Sequence, residues 1–236
     1  MSARRRLLAA FLLCGCGWKG VEGDADGVRI MPLGDSITQG DYARESYRRP
    51  LWHLLKQAGF RVDFVGSMRR NYIAGPFQRD FDLDHEGHWG WTIDEVLEHL
   101  PAWAAAARPD AVLIHLGSND LFRGEEPEQV ARELERVIDI LRQANPRVAL
   151  FIAELIPAAG MEAEFAAANE QIRQLQSLGT AESPVFNVDM FTGFDPELHT
   201  YDGVHPNEAG EQVLAERWYE ALRGWLGERA KETPPK

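Results

Sequence analysis

The chain predicts an α/β fold: a parallel sheet covered by helices on both faces. Three observations carry this. Apolar runs of strand length alternate with longer segments of helical period, at the spacing of βαβ units. The first run, Val28 to Leu33, is apolar almost throughout, as a buried strand is. And 236 residues, 44% hydrophobic and 26% charged, suffice for one sizeable core and not for two full domains.

In chain order, residues 1–20 have the form of an export signal. Arg4-Arg5-Arg6 precede an apolar stretch, Leu7 to Leu13, too short to span a bilayer, then small residues and cysteines. Leu13-Cys14-Gly15-Cys16 resembles a bacterial lipobox, which implies cleavage before Cys16 and its lipidation. Ordinary signal cleavage is the alternative. Either way the expected location is outside the cytoplasm, lipid-anchored in the bacterial cell envelope or secreted. Residues 21–27, rich in Gly and Asp, are expected to be a tether, and residues 28–226 a single domain.

Within that domain Val28 to Leu33 is the first strand, and Glu45 to Ala58 is a helix ended by Gly59. Arg61 to Gly66 is the second strand. Residues 67–90 form a long irregular stretch, a length that is usually functional or mobile. Thr92 opens a helix that runs to about Ala107, with Glu95 completing a capping box. Ala111 to Leu116 is the third strand. Pro127 to Ala144 is a helix with Pro at its first turn. Val148 to Leu155 is the fourth strand, Met161 to Leu178 a helix stopped by Gly179, and Val185 to Asp189 the fifth strand. Asn207 caps a last helix ending near Leu226, and residues 227–236 are expected to be a disordered tail.

Composition narrows the function. Formal net charge is −12, and the arginines of the first fifteen residues face no acid there, so the rest is more acidic still. Such a surface repels nucleic acid, anionic headgroups and anionic polysaccharides at long range, and a neutral substrate suits it better. Both cysteines, Cys14 and Cys16, lie in the first sixteen residues, so the domain holds no disulfide framework. A metal site would have to use His and carboxylates.

The chemistry-bearing residues fall at strand ends and helix starts. Gly34-Asp35-Ser36 ends the first strand, where ligands bind in parallel α/β sheets. Ser36 at a helix start has N–H groups aimed at whatever it attacks; alternatively Asp35 or Ser36 merely caps that helix. Gly117-Ser118-Asn119-Asp120 follows the third strand, His88-Trp89-Gly90-Trp91 precedes the capped helix, and Asp202-Gly203-Val204-His205-Pro206 precedes the last helix. Their chemistry is complementary. Ser36 needs a base, His205 titrates in the right range, and Asp202 can hold its tautomer. The N–H groups of Ser36 and Gly90 and the Asn119 amide can serve as an oxyanion hole.

In this order, Gly34-Asp35-Ser36, Gly90, Gly117-x-Asn119-Asp120 and Asp202-x-x-His205 resemble the four blocks of the SGNH hydrolases, the GDSL-type esterases. The resemblance covers nearly the whole chain after residue 27. Ile30 to Thr38, Tyr47-Arg48, Asp63 to Ser67 and Asp84 to His88 are similar to one branch, the acetylxylan esterases of carbohydrate esterase family three. The resemblance implies a flavodoxin-like three-layer α/β/α fold with a five-stranded parallel sheet. It implies hydrolysis of O-acetyl groups on a polysaccharide through an acetyl-enzyme, with no metal and no organic cofactor. It also implies Ser36 as nucleophile, His205 as base, Asp202 as its orienter, and Ser36, Gly90 and Asn119 as oxyanion donors. The chain departs from the pattern at Ile37, where the GDSL name has leucine. It departs again at Trp89, where the branch carries a smaller residue or proline. No Gly-x-Ser-x-Gly elbow is present, against an α/β-hydrolase.

Trp89 is also a candidate sugar-stacking surface. Asp35 is read as structural, paired with Arg48, and Asp120 as a loop-holding cap. Asp80-x-Asp82-x-Asp84 fails the EF-hand pattern, because His85 and Trp91 stand where Gly and Glu are needed. His85 and His88 lack an evident third zinc ligand, and His115 reads as a satisfied core residue. Trp91, Trp218 and Trp225 read as packing. The competing functions are a lysophospholipase, thioesterase or general short-chain esterase on the same fold, and a non-catalytic carbohydrate-binding surface protein. No segment resembles an apolar lid, which speaks against long-chain lipids.

Overall fold

The apolar run after residue 27 is β1 (Val28–Gly34), buried from Ile30 onward. The structure, a computed structural model, describes residues 21–73, 75 and 78–232. The expected signal and Cys16 lie outside them. Flanking β1 are β2 (Val62–Phe64) and β4 (Ala111–His115), followed by β5 (Ala149–Ala153) and β6 (Val185–Val188). All pair in parallel, in the order β2-β1-β4-β5-β6. That is the flavodoxin-like winding, whose direction reverses between β1 and β4.

The five expected strands are joined by a sixth, β3 (Glu86–Gly87), which extends the end of β1 with Glu86 opposite Leu33. Two residues, one a glutamate, carry no strand pattern. Glu86 tolerates complete burial because the N–H and Oγ of Ser67 and the ring of His88 occupy its oxygens.

Side chains alternate across the sheet. Met31, Val112, Leu150 and Ile152 pack with α3 (Ile93–Ala107), α5 (Pro127–Ala144) and α6 (Glu162–Gln174). Ile30, Leu113, Phe151 and Ala153 pack with α2 (Arg48–Gln57) and α8 (Glu208–Glu232). Trp218 is fully buried beside Tyr47. The Thr92–Glu95 capping box forms at the start of α3, and Asp120 Oδ1 accepts the Ile93 N–H at 3.0 Å there. Three single-turn helices, α1 (Ser36–Gln39), α4 (Ser118–Phe122) and α7 (Pro196–His199), are too short for a helical period to register. No described helix is long and apolar enough to cross a membrane.

Boundaries differ from expectation at both ends of the domain. The residues expected as a tether are docked: Val21 and Asp24 donate to the carbonyls of Phe81 and Val62, and Asp24 pairs with Lys56. The last helix continues six residues past Leu226, through a stretch expected to be disordered. Arg229 pairs with Asp110 at 3.0 Å and covers the Trp225 ring, which anchors that extra turn. α2 begins at Arg48 rather than Glu45, because the Glu45 carboxylate accepts from Asn71 and Gln78. α6 ends at Gln174 and tightens into a 3₁₀ turn, Leu175–Leu178.

Several acids are buried or half-buried. Burial pushes the carboxyls of Asp35 and Asp82 up to about 7, those of Asp84 and Asp120 to about 6, and Glu211 to about 8. With these values above the unfolded ones, the native chain takes up protons before the unfolded chain as pH falls. The resulting stability is fully present below the unfolded values and is lost as pH rises through the folded ones. The thermal midpoint is therefore expected to be higher at about pH 5.5 than at about pH 8, at fixed ionic strength. A midpoint that rises across that interval contradicts these burials.

Candidate active site

β1 ends at Gly34, where a Cβ would run into the Thr38 side chain and the His115 carbonyl. Glycine lets the chain fold straight back into α1. Asp35 caps it, accepting the Ile37 N–H at 2.9 Å. Ser36 is thereby the first helical residue, at the carboxyl end of β1 and beside the point where the winding reverses. Its own N–H has no intrahelical acceptor.

The loop before α8 meets it. His205 Nε2 lies 3.0 Å from Ser36 Oγ, and His205 Nδ1 lies 2.7 Å from Asp202 Oδ2. The other Asp202 oxygen accepts the N–H groups of Val204 and His205. Burial alone would raise the Asp202 pKa. The His205 and Val204 N–H donors and the imidazole outweigh it and hold the carboxyl below its usual range. The loop is braced at its base by the Tyr201 N–H to the His205 carbonyl and by Asn207 Nδ2 to the Thr200 carbonyl.

Gly90 and Asn119 reach the same place. A cleft of about 290 Å³ is lined by Ser36, Trp89, Gly90, Asn119 and His205. Gly90 sits at φ +79°, a left-handed conformation that favours glycine, and Arg123 holds its carbonyl at 2.9 Å. The Asn119 amide is more engaged than expected. It donates to the Trp91 carbonyl at 2.9 Å and, at 3.3 Å, to Asp35 Oδ2.

Asp35 and Arg48 do not pair. Arg48, 1% exposed, donates instead to the carbonyls of Thr38, Gln39 and Leu83. The ring of Trp89, expected as a sugar surface, lies parallel to those of Tyr72 and His205, with centroids 4.6 Å from each. His115 is buried with no hydrogen-bond partner at either ring nitrogen among the described residues, so it is not a satisfied core residue. Burial pushes its pKa down to about 4 and keeps it neutral.

The acidic loop is spoken for: Asp80 binds Arg49, Asp82 accepts the Phe64 N–H, and Asp84 pairs with Arg69. His85 Nδ1 accepts the Gly87 N–H, and His88 meets Glu86. Among the described residues no three His, Cys, Asp or Glu side chains are grouped to hold a metal ion. Sequence reasoning passed over Gln39, whose Oε1 accepts the Trp89 N–H, and Tyr201, beside Asp202. Their only signal was adjacency to the motif loops.

A serine, an imidazole and a carboxylate in one hydrogen-bonded line, at the rim of a parallel sheet and beside N–H donors, is the arrangement of serine hydrolases that transfer acyl groups. The chain belongs to the GDSL-like lipase/acylhydrolase family, whose sequence model matches residues 33–213, and it is an esterase. Among solved structures it is similar to a carbohydrate esterase family 3 protein from Talaromyces cellulolyticus, 32% identical with a TM-score of 0.77, covering 85% of this chain and 99% of that one. The family 3 carbohydrate esterase of Clostridium thermocellum is 33% identical with a TM-score of 0.73, covering 86% and 98%. A multidomain esterase of Ruminococcus flavefaciens is 27% identical over 223 residues, 84% of this chain, which spans only 29% of that protein's length.

Proposed function

We propose that this esterase removes O-acetyl groups from a neutral carbohydrate, acetylated xylan or a related polysaccharide. The observation that carries the chemistry is the line from Ser36 Oγ through His205 to Asp202. The likeness to family 3 carbohydrate esterases across most of both chains supports the substrate class. A cleft of about 290 Å³ suits a short acyl group better than a long one.

In this reading Ser36 Oγ attacks the acetyl carbonyl carbon while His205 Nε2 takes its proton. Asp202 stabilises the imidazolium and fixes which nitrogen faces the serine. The oxyanion is met by the N–H groups of Ser36 and Gly90. Asn119 adds a third donor by turning its longer bond away from Asp35 while its bond to the Trp91 carbonyl holds the amide in place. The imidazolium then protonates the departing sugar oxygen, leaving acetyl-Ser36. Water, deprotonated by His205, attacks that ester, and Ser36 leaves with the proton as acetate is released.

The test is acetate release from acetylated xylan, beside turnover of chromogenic esters of increasing acyl length. Acetate from the polysaccharide and a steep preference for acetyl esters are expected. Preference for long acyl chains with no release from xylan would move the enzyme to the lysophospholipase or thioesterase reading.

A further inference from the structure

His205 is held in its plane by hydrogen bonds and across its faces by aromatic rings. In plane, Nε2 meets Ser36 and Nδ1 meets Asp202. Out of plane, the Trp89 indole lies parallel to the imidazole within 15° at 4.6 Å, and the Tyr201 phenol within 16° at 5.8 Å. Tyr72 in turn stacks on Trp89 at 4.6 Å and 14°. These residues are tied to the serine's side of the site. The Trp89 backbone N–H donates to Gln39 Oε1 at 2.8 Å, and Gln39 closes the helix that Ser36 opens. The Tyr201 hydroxyl donates to Asp41 at 2.8 Å, two residues further on. Ser36 and His205, 169 positions apart, are thus bridged by rings as well as by their own hydrogen bond.

We propose that Trp89 is a positioning residue for the base: it sets the plane of the His205 imidazole, and its ring serves that imidazole rather than the sugar. The inference rests on the proposed roles of Ser36 and His205. Bonds at Nδ1 and Nε2 fix the ring along the line joining them and resist rocking about that line only weakly. A parallel indole resists that rocking. It also attracts the imidazolium more than the neutral ring, because an aromatic face draws a cation. In the proposed mechanism His205 gains that charge as it takes the serine proton, so the contact strengthens toward the transition state. Its loss falls on kcat and leaves KM alone.

The test compares wild type, Trp89→Leu and Trp89→Phe on 4-nitrophenyl acetate, which has no sugar, and on acetylated xylo-oligosaccharide. For Trp89→Leu, kcat is expected to fall about 10-fold on both substrates with KM within about two-fold. Trp89→Phe, which keeps an aromatic face, recovers most of the loss. Tyr72→Ala, at an exposed position that backs the indole, gives a smaller kcat loss in the same sense and serves if Trp89→Leu does not fold. A raised KM for the oligosaccharide alone, with unchanged kcat on 4-nitrophenyl acetate, overturns the inference in favour of a sugar surface.

A wild type that cleaves 4-nitrophenyl acetate but not the oligosaccharide sinks the carbohydrate reading and leaves Trp89 to be judged on the small ester. The His205 ring protons give a readout without substrate. Shielded by the indole, they are expected to move downfield in the NMR spectrum of Trp89→Phe, further in Trp89→Leu; unmoved resonances overturn the inference.

Discussion

Ser36→Ala and His205→Ala are each expected to lower kcat/KM on an acetyl ester by about 10⁴-fold or more, and the double variant to lose no more than either alone. In the proposed mechanism Oγ becomes a competent nucleophile only if Nε2, 3.0 Å away, accepts its proton. Removing either atom stops the same step, so the two losses describe one interaction counted from both ends. The activity that survives would come from the oxyanion donors and from binding, which neither change touches. The fold should be nearly indifferent: Ser36 Oγ is bonded to His205, and His205 lies on a half-buried loop outside both apolar clusters. Steady-state rates of the three variants, with thermal midpoints alongside, make the check. Losses that multiply would mean that Ser36 and His205 act in different steps, and the single line drawn through them would be wrong.

What could be read from the chain beforehand was what is local. The Thr92–Glu95 box is a contact between residues three apart, and it formed as expected. The short, mainly apolar runs became strands because a sheet covered on both faces buries nearly every side chain of its strands. Ser36, Asp202 and His205 were legible because each stands at a strand end or helix start, and the winding brings such ends to one edge. Contacts chosen by tertiary packing were not legible. Arg48, expected to pair with Asp35, took backbone carbonyls instead. Glu86 entered the sheet because Ser67, nineteen residues earlier, satisfies it. Nothing in the Trp89 stretch says that its ring meets His205, since that neighbour is fixed by the loop before the last helix. The docking of residues 21–27 likewise depends on Phe81 and Val62, partners that no local pattern names.

Arg48→Met is expected to cost about 3–5 kcal/mol of stability, lowering the thermal midpoint by roughly 10 °C for a chain of this size. The guanidinium is buried and has no direct ion pair among the described residues. It donates to the carbonyls of Thr38 at 2.8 Å, Gln39 at 2.9 Å and Leu83 at 3.1 Å, and to Ser46 Oγ at 3.2 Å. Burial brings its pKa down to about 10, with Glu45 the first of the nearby acids opposing that fall, so it stays charged at neutral pH. Thr38 and Gln39 end the helix that Ser36 begins, and a helix end leaves its last carbonyls without partners. Methionine fills much of the space but satisfies none of these oxygens, and it removes a positive charge that acts on the buried Glu45. Lysine keeps the charge, yet one ammonium cannot reproduce a planar fork aimed at three carbonyls, so Arg48→Lys should recover only a minor part of the loss. Because the loosened residues directly follow the serine, kcat should fall as well in whatever fraction remains folded. Ser36→Ala separates the two effects, losing activity without stability. A midpoint for Arg48→Met within about 2 °C of wild type would mean that water replaces the guanidinium at little cost, and that Arg48 is not what fixes the turn carrying Ser36.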